Sequence, residues 1–206
     1  TGANINKDKP KYIFNAQFSQ YVKLESDIRY YVKLSSKNVW ANRLIIGFGY
    51  PYGNSKELPF IKQFFSGGNN SIRAFRSRSL GPGSYKDTIN TTFLPDQSGD
   101  IKLEMNTELR AHLFSIVYGA LFIDAGNVWL YNKNEHKPGG QFSSRFMRDI
   151  AVGTGAGLRF DISFLVLRLD LAFPLRKPWL PENKRWVIDQ VNFGSGCIRD
   201  VTRPPT

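Results

Sequence analysis

Between Leu165 and Leu175 the chain places an apolar residue at every second position. Leu165, Leu167, Leu169, Leu171, Phe173 and Leu175 fall on one side, and Arg168, Asp170 and Ala172 on the other. A repeat of two is the signature of a β-strand and cannot be one face of a helix. Pro174 sits where strand pairing could stop. The same repeat returns upstream. Ile150, Val152, Thr154, Ala156, Leu158, Phe160 and Ile162 oppose Gly153, Gly155, Gly157, Arg159 and Asp161. Leu121, Ile123, Ala125, Trp129 and Tyr131 oppose Phe122, Asp124, Gly126 and Val128. Ile101, Leu103, Met105, Thr107, Leu109, Ala111 and Leu113 alternate with Lys102, Glu104, Asn106, Glu108, Arg110 and His112.

Nearer the N-terminus, Lys23, Glu25, Asp27, Arg29 and Tyr31 share a face opposite Val22, Leu24, Ser26, Ile28, Tyr30 and Val32. After Ser35-Ser36-Lys37-Asn38 the pattern resumes, with Asn42, Leu44, Ile46, Phe48 and Tyr50 against Arg43, Ile45, Gly47 and Gly49. These two segments read as a hairpin. The expected fold is therefore all-β and antiparallel, one domain over residues 1–206. The 18 glycines and 11 prolines argue against a helical bundle, and no run of 18 apolar residues offers a membrane helix. The first residues, 1–11, read as polar loop, and the opening Thr1-Gly2-Ala3-Asn4 reads as a mature domain or an excised piece.

Each segment is about ten residues or more, enough for a tilted strand to cross a bilayer. Two placements suit such a sheet. In a soluble barrel or sandwich the leucine face points inward, and a small apolar ligand could bind inside. In an outer-membrane barrel the leucine face meets lipid and the charged face lines a polar lumen. Three features favour lipid. Tyr50, Trp129 and Tyr131 fall toward strand ends, as an interfacial girdle requires. The polar faces carry both signs together, Glu108 with Arg110, Arg159 with Asp161, and Arg168 with Asp170. Finally, residues 51–99 form a long connection without a clear period, and a loop of that length tends to be functional.

Inside that connection lies Phe64-Phe65-Ser66-Gly67-Gly68-Asn69-Asn70-Ser71-Ile72-Arg73-Ala74-Phe75-Arg76. A solvated turn has no use for Ile72 and Phe75 on either side of Arg73. The segment reads instead as a plug in which the apolar pair packs and the guanidinium forks onto buried carboxylates. The chain supplies carboxylates for it on the inward faces of its strands.

The net charge of +11 is scattered over loops and the C-terminal region, with no basic helix and no nucleic-acid module, so nucleic acid is not an expected partner. Anionic lipid headgroups fit better. The single cysteine, Cys197, forms no internal disulfide. No metal site has ligand spacing, and no cofactor is expected. His112 and His136 are the only histidines, and Gly67-Gly68-Asn69-Asn70-Ser71 lacks the nucleophile-elbow spacing, so the chain does not read as an enzyme. Gly153, Gly155 and Gly157 are no dinucleotide loop. They thin one face of a strand where a bulky group or the loop can pack.

Phe65 to Phe75 resembles the barrel-loop motif of the bacterial surface antigen family, the outer-membrane assembly barrels of the BamA and TamA type. Gly99-Asp100 with Asn106, Glu108 and Arg110 is similar to the strand after that loop, and Phe122-Ile123-Asp124-Ala125-Gly126-Asn127-Val128-Trp129 to the next. Gly153 to Phe160 and Leu167 to Leu175 are similar to the penultimate hairpin. The resemblance implies the C-terminal portion of a sixteen-stranded transmembrane barrel in the bacterial outer membrane, with residues 51–99 inserted into its lumen. It further implies insertion or translocation of client outer-membrane proteins, an N-terminal barrel half, and periplasmic domains. A two-partner-secretion pore is a related alternative.

Carried onto this sequence, the resemblance makes Gly67, Gly68, Ile72, Arg73, Ala74, Phe75, Glu108, Arg110, Asp124 and Gly126 the motif residues. It pairs Arg73 with Asp124, and with Glu108 as a second candidate. Two departures stand out. The family usually has glycine at Ala74, whose methyl is expected to crowd a tight backbone. The family closes on one more strand, for which Trp186 to Phe193 is the approach, whereas 194–206 reads as a non-native or disordered tail.

Overall fold

The computed structural model describes residues 12–13, 16–86, 97–162 and 164–188. Its ten strands are β1 (Tyr12–Ile13), β2 (Ala16–Gln17), β3 (Gln20–Lys33), β4 (Val39–Tyr52), β5 (Phe64–Phe65), β6 (Ser98–Gly99), β7 (Ile101–Phe114), β8 (Val117–Trp129), β9 (Ala151–Ile162) and β10 (Leu165–Arg176). The six long strands form one sheet in the order β10-β9-β8-β7-β4-β3, antiparallel throughout. Each therefore pairs with the next long strand in the chain, as an up-and-down barrel wall requires. Short turns join β3 to β4, β7 to β8 and β9 to β10 at one end. The long connections gather at the other.

The two faces differ as a bilayer demands. Leu24, Leu121 and Leu171 are 68%, 62% and 70% exposed, and Ile123, Leu167 and Leu169 are exposed with them. On the opposite face Ile45, Glu104, Glu108, Phe122, Asp124 and Arg159 are buried. A soluble barrel with its leucines packed in a dry centre is thereby overturned. Asn42 and Thr107 interrupt the apolar face but satisfy one another. Trp40 Nε1 donates to Thr107 Oγ1 at 2.7 Å, which donates to Asn42 Oδ1 at 2.8 Å. Polar groups facing hydrocarbon need this kind of internal pairing.

What buries the ionic face is the connection after β4. It begins after Tyr52 and carries a short 3-10 turn, Phe60–Lys62. It also holds a two-stranded ribbon, Phe64 against Gly99 and Phe65 against Ser98, which the sequence periodicity does not reveal. The Phe64 ring lies against Gly47, and Leu58 lies against Gly49. The glycines of β4 thus give the loop room to seat. Asp100, wholly buried where the ribbon ends, accepts from the backbone N–H groups of Leu58 at 3.1 Å and Tyr131 at 3.2 Å. Burial pushes its carboxyl pKa up, against the pull of those two donors.

One placement differs from the sequence reading. Trp129, assigned above to an interfacial girdle, is fully buried, together with Asn127, Val128 and Leu130. The connection after β8 folds back over the strand end, with Leu130 donating to the Gly140 carbonyl at 2.8 Å. It brings the Phe142 and Phe146 rings to 5.6 and 6.1 Å from the Trp129 ring. Tyr50 and Tyr131 do lie at the surface, 5.2 Å apart edge to face. At the C-terminal side, Val187 donates to the Leu175 carbonyl at 2.9 Å. Residues 189–193 of the approach strand, the 194–206 tail and the 1–11 segment lie outside the described residues.

Candidate functional site

The Arg73 segment is shaped locally before it meets the sheet. Gly67 and Gly68 hold φ of +99° and +96°, a region that L side chains rarely adopt, and a β-carbon on Gly67 would collide with the Arg76 carbonyl. Gly68 donates to the Phe75 carbonyl at 2.8 Å, closing the segment on itself. Gly67 N–H donates to Ser71 Oγ at 2.9 Å. Ile72 and Phe75 are buried with Leu80 and Ala151, and the Phe75 ring meets Trp179 edge to face at 6.0 Å. The apolar pair therefore anchors the segment in a buried cluster of its own.

Arg73 reaches the wall through β8 and β7. Its Nε and Nη2 donate to Asp124 Oδ2 and Oδ1, each at 2.8 Å, and its own backbone N–H donates to Oδ2 at 3.1 Å. The third arm, Nη1, donates to Glu108 Oε2. The guanidinium carbon lies over the Phe122 ring, 3.4 Å from its centre, a cation–π contact added to the hydrogen bonds. Asp124 is wholly buried, and its remaining capacity is met by Asn106 Nδ2, which donates at 2.9 Å. Register explains the grouping, because Asn106 stands opposite Asp124, Glu108 opposite Phe122, and Gly153 opposite Asp124.

Glu108 is shared by three arginines. Besides Arg73, it accepts from Arg110 Nε at 2.8 Å and from Arg159 Nη2 at 3.1 Å on both oxygens. Arg159 in turn donates to Asp170, which also accepts from Arg168 Nε at 2.9 Å. Arg110 remains half exposed toward the lumenal side. A buried charge is tolerable only when paired and hydrogen-bonded, and here Arg73, Glu108, Asp124, Arg159 and Asp170 each have at least two partners. Glu108, Arg110 and Asp124 are thus brought together at Arg73. Gly126 lies apart from the guanidinium. It pairs with Glu104, and a β-carbon there would strike the Leu103 carbonyl.

Several participants escape sequence reasoning. Glu104 accepts from both Ser66 Oγ, at 2.7 Å, and Ser71 Oγ, which fixes the entry to the segment. The segment's tip is held by donors from three strands. Arg168 Nη2 donates to the Asn69 carbonyl at 2.8 Å, Arg43 Nη1 to Asn70 at 2.9 Å, and Asn106 Nδ2 to Ser71 at 2.7 Å. Behind the site, a β-carbon on Gly153 would lie 2.5 Å from Ala74 Cβ, and one on Gly155 would lie 2.5 Å from the Phe122 ring. One on Gly157 would strike Asp170. The glycine stripe of β9 is the space these groups occupy.

His112 Nε2 lies 3.0 Å from the Ser115 backbone carbonyl, and its ring packs on Tyr118. No group of three or more His, Cys, Asp or Glu residues that could hold a metal occurs among the described residues. The arrangement is one of clamped charge, suited to holding a loop.

The chain matches the family model described as the Omp85 superfamily domain over residues 12–197. It is 27% identical over 154 residues to the outer membrane protein assembly factor BamA of Neisseria meningitidis serogroup B, covering 64% of this chain and 19% of that protein. Its fold is similar to the crystal structure of BamA from Haemophilus ducreyi lacking POTRA domains 1-3, with a TM-score of 0.60 and 22% identity. That likeness covers 77% of this chain and 32% of the other. The chain thus spans about a fifth and a third of the lengths of these two relatives.

Proposed function

The chain belongs to the Omp85 superfamily of the bacterial outer membrane, and from that premise we propose that it is the C-terminal part of a barrel that inserts or translocates other outer-membrane proteins. Its partners on this reading are the lipid bilayer, client outer-membrane proteins, and an N-terminal barrel half with periplasmic domains. It works by binding and strand pairing and catalyses no bond change. The short-turn end faces the periplasm and the long-loop end the exterior, the usual polarity of such barrels.

The observation that carries the reading is the Arg73 clamp. A plug loop is locked to the lumenal face by a bidentate carboxylate, while the opposite face offers mostly apolar side chains to lipid. A fixed loop keeps the wall in one shape at the lumen. The glycine stripe of β9 leaves that wall thin. A client strand could then add to an unpaired sheet edge, where main-chain hydrogen bonds supply affinity without sequence specificity.

The test is depletion of the full-length protein in its own bacterium. Heat-modifiable, folded barrels of several unrelated outer-membrane proteins should fall together. Loss of a single exported protein, with the other barrels intact, would instead identify a two-partner-secretion pore and contradict the proposal.

A further inference from the structure

At the long-loop end lies a feature that the clamp does not use. The connection after β8 and the segment after β10 enclose an open cleft of about 350 Å³. Five basic side chains line it, Lys133, Lys137, Arg145, Arg148 and Arg185, against two carboxylates, Asp149 and Glu182. The carboxylates are already engaged: Glu182 accepts from Arg148 Nη1 at 3.0 Å, and Asp149 lies 3.8 Å from Arg185 Nη1. Arg185 also donates to the backbone carbonyls of Leu180 and Arg148. Lys133, Lys137 and Arg145 have no ion-pair partner among the described residues. They stand on a hydrogen-bonded frame, in which Ser84 donates to the Gly139 carbonyl at 3.1 Å and Gly140 to Lys137 at 3.0 Å.

Like charges held together on a fixed frame are stabilised by a counter-anion. Asn134, Gln141 and Ser143 add neutral donors and acceptors to the lining, which suit hydroxyl groups more than a bare ion. The volume falls within the range of small-molecule sites. The chain enters the cleft directly after Tyr131, whose ring packs on Phe48 and Tyr50 in an exposed aromatic cluster of the kind that marks headgroup depth. We propose that the cleft binds a phosphorylated sugar, supplied by the headgroup of an outer-leaflet glycolipid or by a soluble sugar phosphate. Lys133, Lys137 and Arg145 grip the phosphate, and the amide and hydroxyl groups hold the sugar. This goes beyond the assembly function and rests only on the orientation proposed above, with the long-loop end outside.

The experiment uses the full-length protein in detergent, titrated with dispersed bisphosphorylated lipid A and, separately, with glucosamine 1-phosphate. The variant Lys133→Gln/Lys137→Gln/Arg145→Gln is compared, with its heat-modifiable band as the check on folding. Binding of the lipid alone assigns the site to a headgroup, and equal binding of the sugar phosphate assigns it to the soluble ligand. Either result supports the proposal when the triple variant binds at least about tenfold more weakly, the equivalent of one charge-assisted hydrogen bond. Undiminished binding by the folded variant, equal binding of dephosphorylated lipid A, or no binding of either ligand overturns it.

Discussion

Ala74 rests its methyl on Gly153 of β9, so that a β-carbon built on the glycine would stand only 2.5 Å from it. The crowding expected of an alanine in the loop motif is thus relieved across the interface. Ala74 is also not among the non-glycine residues with positive φ, so its own backbone accepts a side chain. Gly153→Ala should therefore overpack the contact and destabilise the barrel by about 1–3 kcal/mol. Ala74→Gly in the same chain should recover most of that loss. Denaturant unfolding of the four proteins of the cycle measures it, and strictly additive effects would mean that the two residues do not meet.

Arg73→Ala leaves Asp124 and Glu108 facing a low-dielectric space with reduced compensation, a loss of about 3–5 kcal/mol for a broken buried pair. Arg73→Lys should fall well short of rescue, because an ammonium cannot fork onto Asp124 while reaching Glu108. Asp124→Ala should be costly too, and the double variant Arg73→Ala/Asp124→Ala less so than the sum. Protease cleavage within 53–97 of the full-length protein reports the loop directly. Absence of coupling between the two positions would remove the clamp.

The tip is a separate and weaker attachment. Arg43 and Arg168 each donate one hydrogen bond to its carbonyls, and both keep acidic partners of their own, Asp27 and Asp170. Arg43→Ala/Arg168→Ala should loosen Asn69 and Asn70 at about 1 kcal/mol per bond while the barrel stays folded. Hydrogen exchange should show faster amides at the tip and unchanged protection in β7 and β8. Equal loss across the sheet would show that the tip contacts hold the barrel itself.

Why the clamp's carboxylates could be placed from sequence, and the rest of its network could not, follows from the range of each interaction. Asp124 and Glu108 fall on the inward face because a period of two fixes sidedness within one strand. The partners Arg159 and Asp170 sit on polar faces that are just as visible, but their meeting depends on register set by the β9–β10 turn. Ser66 and Ser71 reach Glu104 only after the loop has folded, so no local pattern marks them. Trp129 departs from its expected surface position for a different reason. Where a returning connection covers a strand end on both sides, Asn127 through Leu130 are all buried and alternation stops carrying information.

A charge on the outer face tests the sidedness energetically. Ile123, exposed near the middle of β8, should tolerate arginine poorly, at about 2–4 kcal/mol, whereas arginine at Tyr131 near the headgroup level should cost about 0–1 kcal/mol. Folding yield of the full-length protein into phosphatidylcholine vesicles separates the two. Equal tolerance at both positions would argue that Ile123 does not face hydrocarbon.

The most direct measurement is a spin-label scan of β10 from Leu167 to Ala172 in the full-length protein, with Cys197 replaced, reconstituted in vesicles. Accessibility to oxygen should oscillate with a period of two, peaking at Leu167, Leu169 and Leu171, while a water-soluble relaxer finds Arg168 instead. Leucine positions shielded from oxygen, or reached preferentially by the polar reagent, would contradict the account.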